Sequence, residues 1–174
     1  MMRFKLAVAL LGMSCIAQGG GEGRSRYPGE FEADKAWQEA TAELPAAPTA
    51  ASLRQIYVSA VATNTYSVDE ATLTVSDDRV VRYVLVVETA GGARNVSFEG
   101  IHCETSKWKH YASGRPDGSW VRPRVNQWRE IENKPLNPHH AALFRYYFCP
   151  NGGPITKAEE GQRALRLGKH PDAS

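Results

Sequence analysis

The stretch that most constrains the fold runs from Val80 to Cys103 and consists of two apolar, β-branched segments joined by Gly91-Gly92. β-branched residues favour extended strands, and glycine accepts the positive φ angles of a tight two-residue turn. The stretch therefore predicts a β-hairpin that turns at Gly91-Gly92. Because the first segment is apolar on both of its faces, we expect it to lie in the centre of a sheet.

A two-residue turn also determines which side chains share a face of the hairpin. Pivoting on Gly91-Gly92 places Arg82 diagonal to Glu99 and within reach of it. Asn95 falls on the same face. The hairpin is thus predicted to carry a guanidinium, an amide and a carboxylate together on two adjacent central strands.

The rest of the chain predicts further strands and three helices around this hairpin. Alternating or β-branched patterns predict strands at Ile56 to Val61, Tyr66 to Val75, Lys107 to Ser113 and Trp120 to Arg124. Helix formers and capping residues predict helices at Glu32 to Glu43, Pro138 to Phe148 and Thr156 to Leu167. The first of these helices is predicted to dock Trp37 onto the domain. The predicted fold class is α+β, an antiparallel β-meander with a C-terminal helix packed on it and a short N-terminal helix.

The first residues have the pattern of an export signal. Arg3 and Lys5 precede an apolar segment, so residues 1–17 are predicted to be a signal peptide. Cleavage after Ala17 would release a soluble protein, whereas Leu11 to Cys15 resembles a lipobox, in which Cys15 would carry a lipid that anchors the chain to the envelope. Both alternatives predict a periplasmic location, outside the bacterial cytoplasm.

Two further cysteines fit that compartment. Thiols are oxidised outside the cytoplasm, so Cys103 and Cys149 are predicted to form a disulfide. It would close a loop of roughly 45 residues, for which the chain-entropy model gives about 4 kcal/mol. The predicted organisation is a signal peptide, a flexible tether at 18–30, one domain at 31–168 and a disordered tail at 169–174.

The central stretch also resembles a known family. The run VVRYVLVVETAGGARNVSFEGIHCET, followed by Lys109-His110-Tyr111-Ala112, Trp120, Trp128 and Cys149, is similar to the CNP-like family of bacterial envelope proteins, named after a cryptic neisserial protein. The resemblance extends over roughly Glu32 to Cys149. One departure is Asp78-Arg79, where similar sequences tend to have Asp-Gly. The resemblance implies an exported protein, and it supplies no catalytic residue.

The polar group on the predicted hairpin has two interpretations. Arg82, Asn95 and Glu99 could hold a ligand or polarise a bond, and a hydrolase around Arg82 and Glu99 is the alternative function. The simpler interpretation is a partly buried ion pair that fixes the strand register, because buried charges are normally paired.

The histidines and cysteines offer donor atoms for a metal, at His102, Cys103, His139, His140 and Cys149. Oxidation removes the two cysteines as ligands, and adjacent histidines at the start of a helix are expected to point in different directions. No metal site and no cofactor are therefore predicted. The same oxidation disfavours a cysteine–histidine nucleophile pair, and the chain has no Gly-x-Ser-x-Gly elbow for serine catalysis.

A basic and aromatic segment from 107 to 148 is the other candidate surface. Trp108, Trp120 and Trp128 alternate there with lysines and arginines, and such surfaces bind glycans, anionic headgroups or nucleic acid. Nucleic acid is the weakest candidate outside the cytoplasm, and the simpler interpretation places the tryptophans in the core. The function predicted from the sequence is a non-enzymatic envelope module that binds or scaffolds an envelope protein or a cell-wall glycan.

Overall fold

The computed structural model describes residues 36–132 and 138–173. Within them one antiparallel sheet contains β1 (Leu53–Ile56), β2 (Thr65–Val75), β3 (Val80–Glu88), β4 (Arg94–His102), β5 (Lys107–Gly114), β6 (Trp120–Val121) and β7 (Arg129–Glu130). Strands β1 to β6 follow one another in space as they do in the chain, and β7 pairs with β5. The fold is therefore the α+β meander that the sequence predicts.

The helices follow the sheet in the chain. They are α1 (Pro138–Ala142), which continues directly into a π-helical turn (Leu143–Phe148), and α2 (Ala158–Leu167); short 3-10 turns lie at Ala50–Ser52 and Pro150–Gly152. All of these elements belong to one compact unit that begins at Trp37. No helix in the described ranges has the length and apolarity needed to span a bilayer.

The predicted position of β3 in the centre of the sheet is confirmed. It pairs with β2 on one side and with β4 on the other, and residues 80–86 are all buried. Side chains from both faces of the strand are therefore covered, as its unbroken apolar pattern indicates.

The turn between β3 and β4 is one residue longer than predicted. Thr89 N–H donates to Ala93 O at 2.9 Å, so three residues, Ala90 to Gly92, form the loop. Gly92 has a φ of 83°, the left-handed conformation that follows a type I turn in three-residue hairpins. Gly91 and Gly92 do make the turn, but they do not form a two-residue loop.

This extra residue shifts the register by one and reverses the faces of β4 relative to β3. Tyr83 pairs with Glu99, and Arg82 pairs with Gly100. A one-residue slip moves every side chain of a strand to the other face of the sheet. The prediction that Arg82 shares a face with Asn95 and Glu99 is therefore wrong.

The two faces of the sheet have different covers. The helix-covered face packs against α1, the π-helical turn and α2, and its core includes Tyr83, Leu85, Ile101, Tyr147 and Phe148. The loop-covered face lies under residues 37–48, and its smaller core consists of Ala42, Val84, Phe98, Tyr111 and Ala112.

The predicted disulfide is confirmed. Cys103, just after β4, is bonded to Cys149, just after the π-helical turn, with their Cα atoms 5.5 Å apart. The bond attaches the helical cover to the sheet. The predicted helix of residues 138–148 is present, although its second half is π-helical rather than α-helical.

The short N-terminal helix is not observed in the described part of its range. Residues 36–43 have no regular secondary structure, and residues 32–35 lie outside the described chain. The backbone of this segment bonds to the sheet instead, because Ala40 N–H donates to the Asp78 carboxylate and Arg82 donates to Ala40 O. Trp37 still docks on the domain, as predicted. The predicted signal peptide, Cys15 and the tether also lie outside the described residues.

The C-terminal residues after α2 were predicted to fray, but residues 169–173 pack on the domain. His170 is buried, and its N–H donates to Tyr146 O at 2.7 Å. Its ring is 3.0 Å from Glu160 Oε1 on α2. The composition of the tail does not reveal these contacts, since each one joins it to an earlier part of the chain.

Candidate functional site

Arg82 lies in a closed ion pair on the loop-covered face. Its guanidinium donates to both carboxylate oxygens of Asp78, at 3.1 Å and 2.5 Å, and the two side chains are 3% and 2% exposed. It also donates to Ala40 O at 3.2 Å. Burial opposes ionisation of Asp78, but the hydrogen bonds from Arg82 hold its pKa below the ordinary value. The two charges neutralise each other and attach the covering loop, so the pair offers no free charge to a ligand. Arg82 Nε is buried and has no hydrogen-bond partner among the described residues.

An aromatic pocket lies on the same face and is formed by Trp37, His102 and Trp128. The ring of Trp37 is 4.8 Å from that of His102 and 5.9 Å from that of Trp128, both at 76°. His102 and Trp128 are 6.1 Å apart at 74°. The three rings stand edge to face around a cavity of about 320 Å3, whose lining also includes Glu104, Thr105 and Lys107.

Hydrogen bonds to the indole nitrogens hold the two tryptophans of the aromatic pocket. Trp37 Nε1 donates to Asp78 O at 2.8 Å, and Trp128 Nε1 donates to Glu39 Oε2 at 3.2 Å. Both indole N–H groups are therefore used by the protein itself. The ring faces remain the surfaces that a ligand in the cavity would contact.

His102 contributes a polar atom to the aromatic pocket. Its Nδ1 lies 2.9 Å from Thr105 Oγ1, while its Nε2 is buried and has no hydrogen-bond partner within the described chain. Burial lowers the pKa of the ring below its ordinary value, so the imidazole is neutral at pH 7. A buried nitrogen without a hydrogen-bond partner costs free energy.

The other two tryptophans predicted for binding lie elsewhere. Trp108 stacks on the ring of His140, with centroids 3.7 Å apart. Trp120 donates from Nε1 to Pro45 O at 2.7 Å. Only Trp128 of the three reaches the aromatic pocket. Trp37, the other tryptophan of that pocket, was predicted to dock on the domain but not to bind a ligand.

A second polar cluster lies on the helix-covered face around Glu99. Its Oε2 is 2.9 Å from His140 Nε2 and accepts a hydrogen bond from the Tyr83 hydroxyl at 3.2 Å. Its Oε1 accepts from Ser97 Oγ at 2.7 Å and lies 4.0 Å from His110 Nδ1. Asn95 points to the same face but is exposed near the hairpin end. The structure thus brings Glu99 together with histidines rather than with Arg82 and Asn95.

The two adjacent histidines converge on this cluster instead of diverging. The rings of His139 and His140 are 4.1 Å apart, and His139 also stacks on Tyr66 at 5.1 Å. One donor atom each from Glu99, His139 and His140 lies within 4.8 Å of the other two, and all three residues are buried. The sequence argument that neighbouring histidines point apart is therefore wrong for this helix start.

A β-bulge in β5 adds a third histidine. Phe98 pairs with Ala112, but Glu99 pairs with His110, so β5 has one extra residue, Tyr111, at this point. Bulges redirect side chains, and this one sets His110 directly opposite Glu99 while Tyr111 packs on the loop-covered face.

Burial and hydrogen bonding together set the acid–base behaviour of this cluster. It opposes ionisation of Glu99, yet the hydrogen bond and charge of His140 outweigh it and hold the pKa of Glu99 at about 2. Burial lowers the pKa of His139 to about 4 and also lowers the pKa of His110. The carboxylate is therefore ionised at neutral pH, while His139 and His110 are neutral imidazoles.

Comparison with known proteins gives one match. The model of the CNP1-like family matches residues 32–166, a stretch that includes both the aromatic pocket and the Glu99 cluster. No curated protein and no solved structure matches the chain.

Proposed function

The chain belongs to the CNP1-like family, and from that premise we propose that it is an exported protein of the bacterial envelope that binds a cell-wall glycan in the aromatic pocket, without catalysing a reaction. The observation that carries the proposal is the arrangement of Trp37, His102 and Trp128 around a cavity of about 320 Å3.

This arrangement suits the chemistry of a sugar ring. Small-ligand sites are concave, mainly apolar or aromatic, and contain a few polar groups that orient the ligand. The C–H face of a sugar packs against an aromatic ring, and its hydroxyls require hydrogen-bond partners at the edge. The Glu104 carboxylate and the Lys107 amine offer such partners. The cavity is at the small end of the usual range, so we expect it to take one end or one unit of a glycan.

Two observations support export. The apolar segment after Arg3 and Lys5 has the pattern of a signal peptide, and the bonded Cys103 and Cys149 are typical of an oxidising compartment. Mass spectrometry of the mature N-terminus would distinguish lipidation at Cys15 from cleavage after Ala17. Protein recovered from the cytoplasm with its first residues intact would contradict export.

The alternative function, a hydrolase around Arg82 and Glu99, has no geometric basis. The two side chains project from opposite faces of the sheet, and Arg82 is engaged by Asp78. The two side chains therefore cannot act together on one substrate.

Titration calorimetry of the secreted, disulfide-bonded protein with soluble cell-wall glycan fragments tests the proposed function. Trp128→Ala removes one wall of the aromatic pocket, and we expect it to weaken binding at least about tenfold, as removal of a central tryptophan does in other binding sites.

Trp120→Ala is the matched control, because it removes a similarly half-buried tryptophan from another part of the same face. We expect it to leave affinity unchanged. Absence of binding by the unmodified protein at millimolar fragment, or equal losses in the two variants, would rule out this glycan site.

A further inference from the structure

Three buried donor groups meet between β4 and the start of α1. Glu99 offers a carboxylate oxygen, and His139 and His140 each offer an imidazole nitrogen, with the three atoms within 4.8 Å of one another. Two imidazoles and one carboxylate form a ligand set that Zn²⁺ and related first-row divalent metals use. We propose that Glu99, His139 and His140 bind such a metal ion on the helix-covered face.

The distances require a small closure of the cluster. With metal–ligand bonds of about 2.0–2.2 Å, donor atoms in a tetrahedral site lie roughly 3.3 Å apart. Glu99 Oε2 and His140 Nε2 are already 2.9 Å apart, and the metal takes the place of the hydrogen between them. The widest separation, 4.8 Å, must shorten by roughly 1.5 Å, which a rotation of one ring provides.

No hydrogen bond among the described residues holds the ring of His139 in its present orientation. The ring packs against those of Tyr66 and His140. Its Nδ1 is buried and has no hydrogen-bond partner in the described part of the chain. A buried polar atom without a partner costs free energy, so the unliganded cluster leaves an imidazole poorly satisfied.

The surroundings of the other two ligands are those of an oriented metal site. Ser97 Oγ donates to Glu99 Oε1 at 2.7 Å, and the Tyr83 hydroxyl donates to Oε2. Trp108 stacks on the ring of His140 at 3.7 Å. Such outer contacts hold ligand side chains in position and tune their basicity.

His110 is the candidate for a fourth ligand. Its Nδ1 lies 4.0 Å from Glu99 Oε1, and its Nε2 is within 3.0 Å of Ser113 Oγ, which orients the ring. The side chain is 27% exposed, so it also connects the cluster with solvent. A metal held by all four residues would join β4, β5 and α1, and would act as a second cross-link on the face that carries the disulfide.

The test uses the full mature protein with its disulfide intact, stripped with a chelator and then titrated with Zn²⁺ or Co²⁺ alone. We expect one equivalent to bind, the melting temperature to rise by several degrees, and Co²⁺ to give the intense visible absorption of a tetrahedral site. His139→Phe keeps a ring on Tyr66 and removes a ligand. Its affinity should fall at least as far as the 10- to 100-fold loss typical of outer-shell changes.

His170→Gln is the matched control, since His170 also pairs with a glutamate, Glu160, at 3.0 Å. It should bind metal like the unmodified protein, and so should Trp128→Ala, because the aromatic pocket lies on the other face. Failure of the unmodified protein to bind stoichiometrically, or unchanged affinity in His139→Phe, would overturn the proposal. If His139→Phe folds poorly, His110→Gln must weaken binding or alter the cobalt spectrum for the proposal to stand.

Discussion

Each face of the sheet has a buried carboxylate beside a basic side chain, Asp78 on one and Glu99 on the other, but the two pairs differ. On the loop-covered face Asp78 meets Arg82, four residues away and permanently charged. On the helix-covered face Glu99 meets His140, 41 residues away, with the ring of His139 beside them. The first pair is closed and structural. The second belongs to the cluster for which we propose a metal ion.

The covers differ in the same way. Residues 37–48 are held by hydrogen bonds to Asp78 and Arg82 and by a small apolar core. The helical cover is held by the larger core and by the disulfide. Removing a charge should therefore damage the loop-covered face more than the helix-covered face.

The largest expected effect comes from Arg82→Met. Methionine fills a similar volume but leaves the Asp78 carboxylate buried without a cation, and breaking a buried pair in this way costs about 3–5 kcal/mol. Urea unfolding at pH 7 measures the change in the free energy of unfolding.

The matched change on the other face is His140→Gln. Glutamine still donates a hydrogen bond to Glu99, and the carboxylate can take up a proton, so we expect a smaller loss of about 1–3 kcal/mol. Equal losses in Arg82→Met and His140→Gln would show that the two pairs do not differ as described.

The next effect is the pH dependence that His139 contributes to the helix-covered face, measured with a chelator present. The pKa of His139 is about 4 in the folded protein and near 6.5 when unfolded, so protonation favours the unfolded chain. The free energy of unfolding that depends on His139 is fully present above pH 6.5. It falls by about 3 kcal/mol in total as the pH decreases to 4. A second loss should follow between pH 4.5 and 2, where Glu99 takes up its proton.

His139→Phe isolates this contribution, because it should flatten the stability profile between pH 6.5 and 4 relative to the unmodified protein. His102 and His110 are present in both proteins, so their contributions to the pH dependence of stability cancel in the difference. Parallel profiles would mean that His139 is not the group whose burial lowers stability in acid.

The smallest expected effect is a gain from Arg79→Gly in the turn that carries Asp78. Arg79 has a φ of 63°, a conformation that costs a non-glycine residue about 1–2 kcal/mol. Glycine removes that strain and loses the exposed ion pair with Glu104, which contributes about 0–1 kcal/mol. We expect a net gain of about 0.5–1 kcal/mol in urea unfolding.

Ser106→Gly, with a φ of 52° and no ion pair, separates strain from charge in this comparison. Ser106→Gly could stabilise the protein while Arg79→Gly destabilises it by more than 1 kcal/mol. The exposed Arg79–Glu104 ion pair would then be part of the stabilising charges of the loop-covered face.

The sequence by itself determined the fold class, the central position of β3 and the family, because local patterns carry that information. Alternation, β-branching and glycine at a turn act over a few residues. The Cys103–Cys149 bond was also predictable, since both cysteines fall in the predicted domain and the predicted export signal implies an oxidising compartment.

Only the tertiary structure decided which side chains meet. One extra residue in the hairpin loop sent Arg82 and Glu99 to opposite faces, and a bulge in β5 set His110 against Glu99. Trp37 and Trp128 meet although 91 positions separate them in the chain. Register and long-range contact depend on the balance of the whole packed structure, in which a shift of one residue reverses a face without changing the local pattern.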